Sequence, residues 1–375
     1  MLTVPSYEDL LSGKVTVSQI RRIELEDLLG REQIVLDNVG LHGLLGGKVA
    51  MVTGAGGSIG SELCRQIAKF GPDLLVMLDL NEFALYSIEQ EFREHRPGCP
   101  IAPVIGDVRN ANRLSALMSR FRPSIVFHAA AYKHVPMMEA DNAWEGVQNN
   151  VVGTLQTARA CIEHRVEKFV LISTDKAVNP ANVMGATKRL SERICGALQA
   201  SGSTRFVVVR FGNVLGSTGS VIPKFREQIA RGGPVTVTHP EITRYFMSIP
   251  EAAQLVLQAG HMGQGGEIFV LEMGEPVRIV DLARDMIRLS GFSPDDIRID
   301  YTGLRPGEKL FEEVLSEGEQ LRQSLHPKLR IAMSDTAPGD QWLREVEQWL
   351  SQERIPDLDE IRRELRRRVP GYRPS

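Results

Sequence analysis

The chain is poor in cysteine and has none in a pattern. Its four cysteines (Cys64, Cys99, Cys161, Cys195) among 375 residues show no C-x-x-C spacing. This excludes a disulfide framework, and no metal site is expected. Three of them lie in apolar or helical stretches, so buried, reduced thiols in a reducing cytoplasm are anticipated. No signal peptide is visible, and no apolar run approaches the ~20 residues that span a bilayer. Charge of one sign is not in excess either. Lys and Arg number 44 against 47 Asp and Glu, a net charge of -3, which gives no drive toward nucleic acid or an anionic membrane. Repeats of ~20–50 residues are absent, which excludes a solenoid or propeller.

What remains is an ordinary globular composition, 42% hydrophobic and 24% charged, long enough for one large domain or two sharing a cleft. Residues 1–45 hold two segments, 6–11 and 23–30, that read as short helices or turns packing onto a larger body. From residue 46 apolar runs at 48–53, 73–79, 101–108, 124–131, 168–174 and 205–211 alternate with helical periodicity at 58–70, 82–95 and 183–198. Continuous apolar runs separated by helices predict parallel strands covered on both faces. Past residue 216 glycine and proline cluster and the elements shorten (235–238, 250–260, 268–271, 279–289, 297–301), as in a smaller α+β lobe. Residues 341–350 and 358–368 read as amphipathic helices, the second ending in a basic run that reads as a solvated face. The expected fold is α/β: a Rossmann-type doubly wound parallel sheet over 46–216, a smaller lobe over 217–335, and C-terminal helices over 336–375.

Between the first strand and first helix stands Thr53-Gly-Ala-Gly-Gly-Ser-Ile-Gly60. Glycines there allow a tight turn, backbone approach to a pyrophosphate and close helix–strand packing, while the helix N-terminus offers free N–H groups. Gly54, Gly57, Ser58, Ile59 and Gly60 are therefore candidate dinucleotide contacts. Asp79 ends the second strand, where a carboxylate would bind an adenosine ribose diol and repel a 2′-phosphate, which favours NAD over NADP. Asp107 and Val108 at the end of the third strand, and Ala129 and Ala130 at the end of the fourth, are further candidates, because ligands bind outside the carboxyl ends of parallel strands. Turn and packing roles are the competing reading for both pairs.

The fifth run delivers Thr174-Asp175-Lys176 to the same edge. Met184 and Lys188 follow on a helix, four residues apart. Methionine can neither donate nor accept a proton in catalysis, so an acid and an amine at Asp175 and Lys176 stand where proton chemistry is needed. Taken together, residues 53–60, 128–135, 149–153, 173–180, 184–188, 210–216 and 305–309 resemble the extended short-chain dehydrogenase/reductase superfamily. The likeness is strongest to the large, C5-retaining UDP-N-acetylglucosamine 4,6-dehydratases of bacterial polysaccharide biosynthesis, and it spans about residues 10–320. The superfamily's Tyr-x-x-x-Lys pair is Met184-Gly-Ala-Thr-Lys188 here, as in those large enzymes.

The resemblance implies C4 oxidation by NAD, loss of water across C5–C6 and hydride return to C6. It implies Asp175 as the acid at the C6 oxygen, Lys176 as a base at C5 with a lowered pKa, Thr174 at O4 and Lys188 at the nicotinamide ribose. The C4 hydroxyl proton would leave through a water on Lys188 or Thr174. For a UDP-sugar it implies Asn213 and Ser217 near the diphosphate and uridine, Arg244 and Arg305 as cations, Glu308 at the uridine ribose and Lys133 in a substrate contact. It further implies a homo-oligomer built through helices near 140–164 and 184–200. A cytoplasmic location is expected, with membrane contact only through an N-terminal region that the large enzymes carry ahead of the first residues seen here. A nucleotide-sugar 4-epimerase and a non-catalytic NAD-binding protein are the alternatives.

Overall fold

The computed structural model describes residues 2–3, 21–22, 34–95, 98–293, 295–315, 319–333 and 338–374. The segments 6–11 and 23–30 lie outside them. Helix α1 (Asn38–Leu45) is capped by Asp37, whose carboxylate accepts the Gly40 N–H. It leads into strand β1 (Val49–Thr53) and helix α2 (Ser58–Ala68). Then follow β2 (Leu74–Asp79), α3 (Glu82–His95), β3 (Ile101–Ile105), α4 (Ala111–Phe121) and β4 (Ile125–His128). Next come α5 (Gly153–Glu163), β5 (Lys168–Ile172), α6 (Val183–Leu198) and β6 (Arg205–Arg210). The strands form where apolar residues follow one another with little interruption, and the helices where apolar residues recur every three or four.

The remaining elements are α7 (Val221–Ala230), α8 (Ile249–Met262), β7 (Ile268–Leu271), α9 (Ile279–Leu289), β8 (Gln320–Gln323), β9 (Leu329–Met333), α10 (Asp340–Leu350) and α11 (Leu358–Arg368). Nine strands make one sheet in the order β3-β2-β1-β4-β5-β6-β7-β9-β8. It is parallel from β3 to β7, and β9 and β8 add antiparallel at the far edge. The order reverses between β1 and β4, which opens a crevice at their carboxyl ends.

The expected division at residue 216 does not coincide with this sheet. Residues 268–271 pair in parallel with β6 at the registers Ile268–Val208, Phe269–Val209 and Val270–Arg210. They are a strand of the main sheet, and β8 and β9 extend it. Residues 213–247 and 277–301 form the small lobe, with short pairs at Val235–Val237/Ile299–Tyr301 and Thr243–Arg244/Val277–Arg278 around Phe225, Val235, Phe246 and Ile287, and Leu310 packs against them.

Each sheet face has its own core. One is built on Leu63, Ile67, Phe92, Val256 and Leu257, the other on Leu117, Val151, Leu155, Leu190 and Ile194. The second core also takes in Val346, Trp349, Ile361 and Leu365. The C-terminal helices thus cover the helices expected to meet a partner subunit. Trp349 meets Trp144 edge-on at 5.7 Å, the Arg193 guanidinium stacks 5.0 Å from the Trp342 ring, and Arg362 pairs with Glu139 at 3.0 Å. Part of α6 is therefore already covered by α10 and α11.

Trp349 is the anchor of this cover, since it also lies under the Arg368 guanidinium at 4.8 Å. Trp349→Ala should cost about 3 kcal/mol or more by equilibrium urea unfolding. A loss under about 1 kcal/mol would contradict docking of α10 in the core.

Candidate active site

The glycine-rich turn is held closed by the residues that crowd it. Gly54 has φ +68°, and a Cβ there would stand 2.7 Å from the Ala130 amide nitrogen. A Cβ on Gly60 would collide with the Gly54 carbonyl, and α2 could then no longer sit on the turn. The turn therefore leaves a cradle that side chains would fill, with the α2 N-terminus behind it, as a pyrophosphate requires. Ser58 is at the first turn, its Oγ accepting from the Thr218 N–H at 3.1 Å, and Ile59 packs on the core beneath. Gly57 is the N-cap residue of α2.

Asp79 stands at the carboxyl end of β2, accepting the Gly56 N–H at 2.8 Å and the Asn81 N–H at 2.8 Å. Its carboxylate is thus aimed by the turn itself. Asp107 is engaged by Arg109 through side chain and backbone. Burial would push the Asp107 carboxyl up, but the Arg109 bonds outweigh it and hold it below the ordinary carboxylate range. Val108 is buried against the position of Gly153, where a Cβ would meet its Cγ2 at 2.7 Å. Ala129 and Ala130 line the turn from the end of β4. These residues gather around the crevice at the reversal of strand order, and they fit a nicotinamide dinucleotide.

Thr174, Asp175 and Lys176 follow β5 in a short 3₁₀ turn. The Thr174 hydroxyl donates to Asp175 Oδ1 at 2.9 Å, and the Lys176 ammonium donates to the same oxygen at 3.0 Å and to Asn213 Oδ1 at 2.9 Å. Asp175 Oδ2 is buried without a hydrogen-bond partner. Burial would push the Lys176 ammonium down, but Asp175 and then Glu312 outweigh it and hold it above the ordinary lysine range. The lowered pKa expected for Lys176 is therefore not what the resting site provides, because two carboxylates face it. Lys188 behaves the other way: burial pushes it down to about 8, and Glu192 opposes this only in part. Met184 is buried one turn earlier in the core. The next residue, Gly185, sits where a Cβ would collide with the Lys176 carbonyl, so a glycine is what lets α6 rest on the 174–177 turn.

On the substrate side the structure separates what the sequence grouped. Asn213 sits on Lys176 rather than standing free. Arg244 was expected to present an open fork to a diphosphate. It is buried instead, donating to the carbonyls of Thr243, Lys309 and Leu310 and facing Glu308 and Glu312 at 3.6 and 3.7 Å. Three of its N–H groups are thus taken by backbone carbonyls. Arg305 is exposed and pairs with Glu308 at 2.8 Å, so the two occupy each other. Burial would raise the Glu308 carboxyl, but Arg305 first and Arg244 after it hold it below the ordinary range. Ser217 is buried, and its carbonyl accepts from Ser220 at the start of α7. Lys133 is exposed, near enough to Lys176 for like-charge repulsion.

Three groups went unread in the sequence. His128 bridges Thr53 (2.8 Å) and Thr154 (3.2 Å), and burial, helped by the Lys188 charge, pushes it down to about 3. Glu192 and Arg210 form a buried pair at 2.8 Å, joined by Ser173, Arg189 and Glu319. Arg210 inside an apolar strand and Glu192 one turn past Lys188 were the available signals. The third, Glu312, lies in a segment whose placement no local pattern reveals.

A model of the family described as polysaccharide biosynthesis protein matches residues 50–334. This chain belongs to that family. Its fold is the one seen in solved nucleotide-sugar epimerases and dehydratases. It is 54% identical over 331 residues to the capsular polysaccharide biosynthesis protein CapD of Staphylococcus aureus, covering 88% of this chain and 55% of that protein. It is 35% identical to a UDP-glucose 4-epimerase of Rickettsia rickettsii over 76% of this chain and 83% of the relative. The X-ray structure of Pen from Bacillus thuringiensis is similar at 32% identity with a TM-score of 0.71, over 81% of this chain and 99% of that one. The chain spans 55% and 59% of the length of two curated relatives that it matches over most of its own extent.

The Glu192–Arg210 pair generates a stability prediction. Burial would raise the Glu192 carboxyl, while Arg210 outweighs it and holds it below the ordinary range. A carboxyl lowered on folding stabilises above its unfolded pKa, and that stability is lost as pH falls through the folded value. Glu192→Gln should cost about 1–3 kcal/mol near neutral pH, since Arg210 keeps Glu319 but loses its nearest charge partner, and should flatten the acid limb of stability. Urea midpoints between pH 3 and 7 (about one ordinary carboxylate titration range) test it, and an unchanged acid limb would refute it.

Proposed function

We propose that this protein is a UDP-N-acetylglucosamine 4,6-dehydratase that makes a UDP-2-acetamido-2,6-dideoxy-4-keto-hexose for bacterial glycan synthesis, with NAD bound and recycled. The observation that carries the reading is the chain of Thr174 to Asp175 Oδ1 to Lys176, at 2.9 and 3.0 Å, beside an inert Met184. Gly54, Gly57, Ser58, Ile59, Gly60, Asp79, Asp107, Val108, Ala129, Ala130 and Lys188 would hold the cofactor. When bound, NAD supplies the acceptor and later the donor of one hydride.

The residues of the chain handle the protons. Thr174 takes the C4 hydroxyl proton and passes it to Asp175, to which it already donates. This replaces the water route expected from sequence. Asp175 then delivers that proton to the departing 6-hydroxyl, which leaves as water. Protonating Asp175 also removes one of the two carboxylates that hold Lys176 as an ammonium. Lys176 serves as the base at C5 and returns the proton on the same face, which retains configuration. Lys188, pushed down to about 8 by burial, orients the nicotinamide ribose. Lys133, Ser217, Arg305 and Glu308 contact the UDP-sugar once Arg305 and Glu308 part, and Asn213 and Arg244 serve that site by holding Lys176 and the 308–312 segment. Self-association would use a face other than that under α10 and α11.

A UDP-sugar 4-epimerase is the second reading, favoured by the Rickettsia relatives that carry that name. It needs no acid at C6. Incubation with UDP-N-acetylglucosamine should give a product lighter by one water in mass spectrometry, and a C4 epimer of unchanged mass would overturn the dehydratase. Thr174→Val should slow cofactor reduction by ~100-fold, the scale of a lost proton-transfer group, with NAD affinity unaltered. Equal rates would contradict the Thr174 route.

A further inference from the structure

We propose that Glu312 is a positioning residue that accepts the Lys176 proton and so frees the amine to act at C5, an inference that rests on the dehydratase reading above. Glu312 enters the site from 136 residues beyond Lys176 in sequence and ends with its side chain 3% exposed. Its Oε1 stands 3.7 Å from Lys176 Nζ and 3.7 Å from Arg244 Nε. Its Oε2 is buried with no hydrogen-bond partner. A carboxylate placed only to pair with Arg244 would take the guanidinium fork through two oxygens. Here that fork donates to three backbone carbonyls, and one Glu312 oxygen is left over. An orphaned carboxylate oxygen in a dry site is costly unless a donor reaches it.

The geometry also answers what Lys176 otherwise lacks. The charged and titratable groups around it are Asp175, Glu312, Arg244 and Lys133. Asp175 is occupied by the C4 proton at the moment the base is needed, so Glu312 is the carboxylate still able to receive one. The separation of 3.7 Å is longer than a hydrogen bond, and catalytic contacts of this kind tighten when substrate closes the site.

The step balances. A Lys176 N–H bond breaks and a Glu312 O–H bond forms, leaving a neutral amine and a neutral carboxyl. The amine takes the C5 proton while the Asp175 proton leaves with the 6-hydroxyl as water. When C6 receives the hydride that C4 gave up, the ammonium returns its proton to C5, and Glu312 returns its own to the amine.

The test uses the whole chain with NAD and UDP-N-acetylglucosamine in deuterated water. Glu312→Gln should keep NAD affinity and KM within about threefold and still reduce the cofactor in the first half-reaction. Product formation and solvent deuterium at C5 should each fall by at least ~100-fold, and Glu312→Asp should recover part of both. Full product formation by Glu312→Gln overturns the proposal, as does equal loss of cofactor reduction and C5 exchange, which would mark a structural role. If Glu312→Gln does not fold, Glu312→Asp decides alone: C5 exchange slowed with cofactor reduction intact supports the relay, and both unchanged or both lost refutes it. Absence of a dehydrated product from the unaltered protein would instead sink the dehydratase reading itself.

Discussion

A buried ion pair at a strand end organises this protein. Asp175 and Lys176 are adjacent in sequence, share one oxygen at 3.0 Å and are nearly withdrawn from water. Two charges placed there are tolerable because each has further partners, with Asp175 Oδ2 alone left without one. Thr174 and Asn213 take part of it, Glu312 faces it, and the Asp175 N–H is tied to the Phe211 carbonyl. Every element near the site contributes to this support. Strand β5 delivers the pair, α6 rests on its turn through Gly185, and the 305–312 segment closes over it.

The second buried network lies behind the first. Ser173 hydrogen-bonds Glu192, which holds Arg210 in the neighbouring strand. Breaking it would loosen both β5 and α6, the two elements that bring Asp175 and Lys188 to the same edge. A helix with a desolvated lysine, a strand with a buried arginine and a carboxylate joining them make a rigid platform. Two lysines thereby gain opposite characters, Lys176 held charged by its carboxylates and Lys188 pushed toward neutrality by burial.

Much of this was legible in the chain. Apolar runs and helical spacing place β1 to β6 within a few residues, and Glu82–His95, Val183–Leu198 and Leu358–Arg368 match their expected bounds. The glycine turn and the Thr174-Asp175-Lys176 run stand at one sheet edge, as parallel strands require. What local pattern could not carry was long-range pairing. Residues 268–271 look like any short strand until their register with β6 is known. Arg244 looks like a phosphate clamp until three of its N–H groups are seen on backbone carbonyls, and no local pattern shows that Trp342 and Trp349 pack beside α6. Glu312 has no signature because its partner is 136 residues away.

The central claim is that the amine of Lys176 moves the C5 proton while the cofactor chemistry proceeds independently at C4. Lys176→Met, mixed with NAD and UDP-N-acetylglucosamine in deuterated water and quenched through a single turnover, separates the two. The account predicts that reduced cofactor accumulates, that C5 keeps its protium and that no dehydrated sugar forms. Deuterium entering C5 at the rate of the unaltered protein would contradict it.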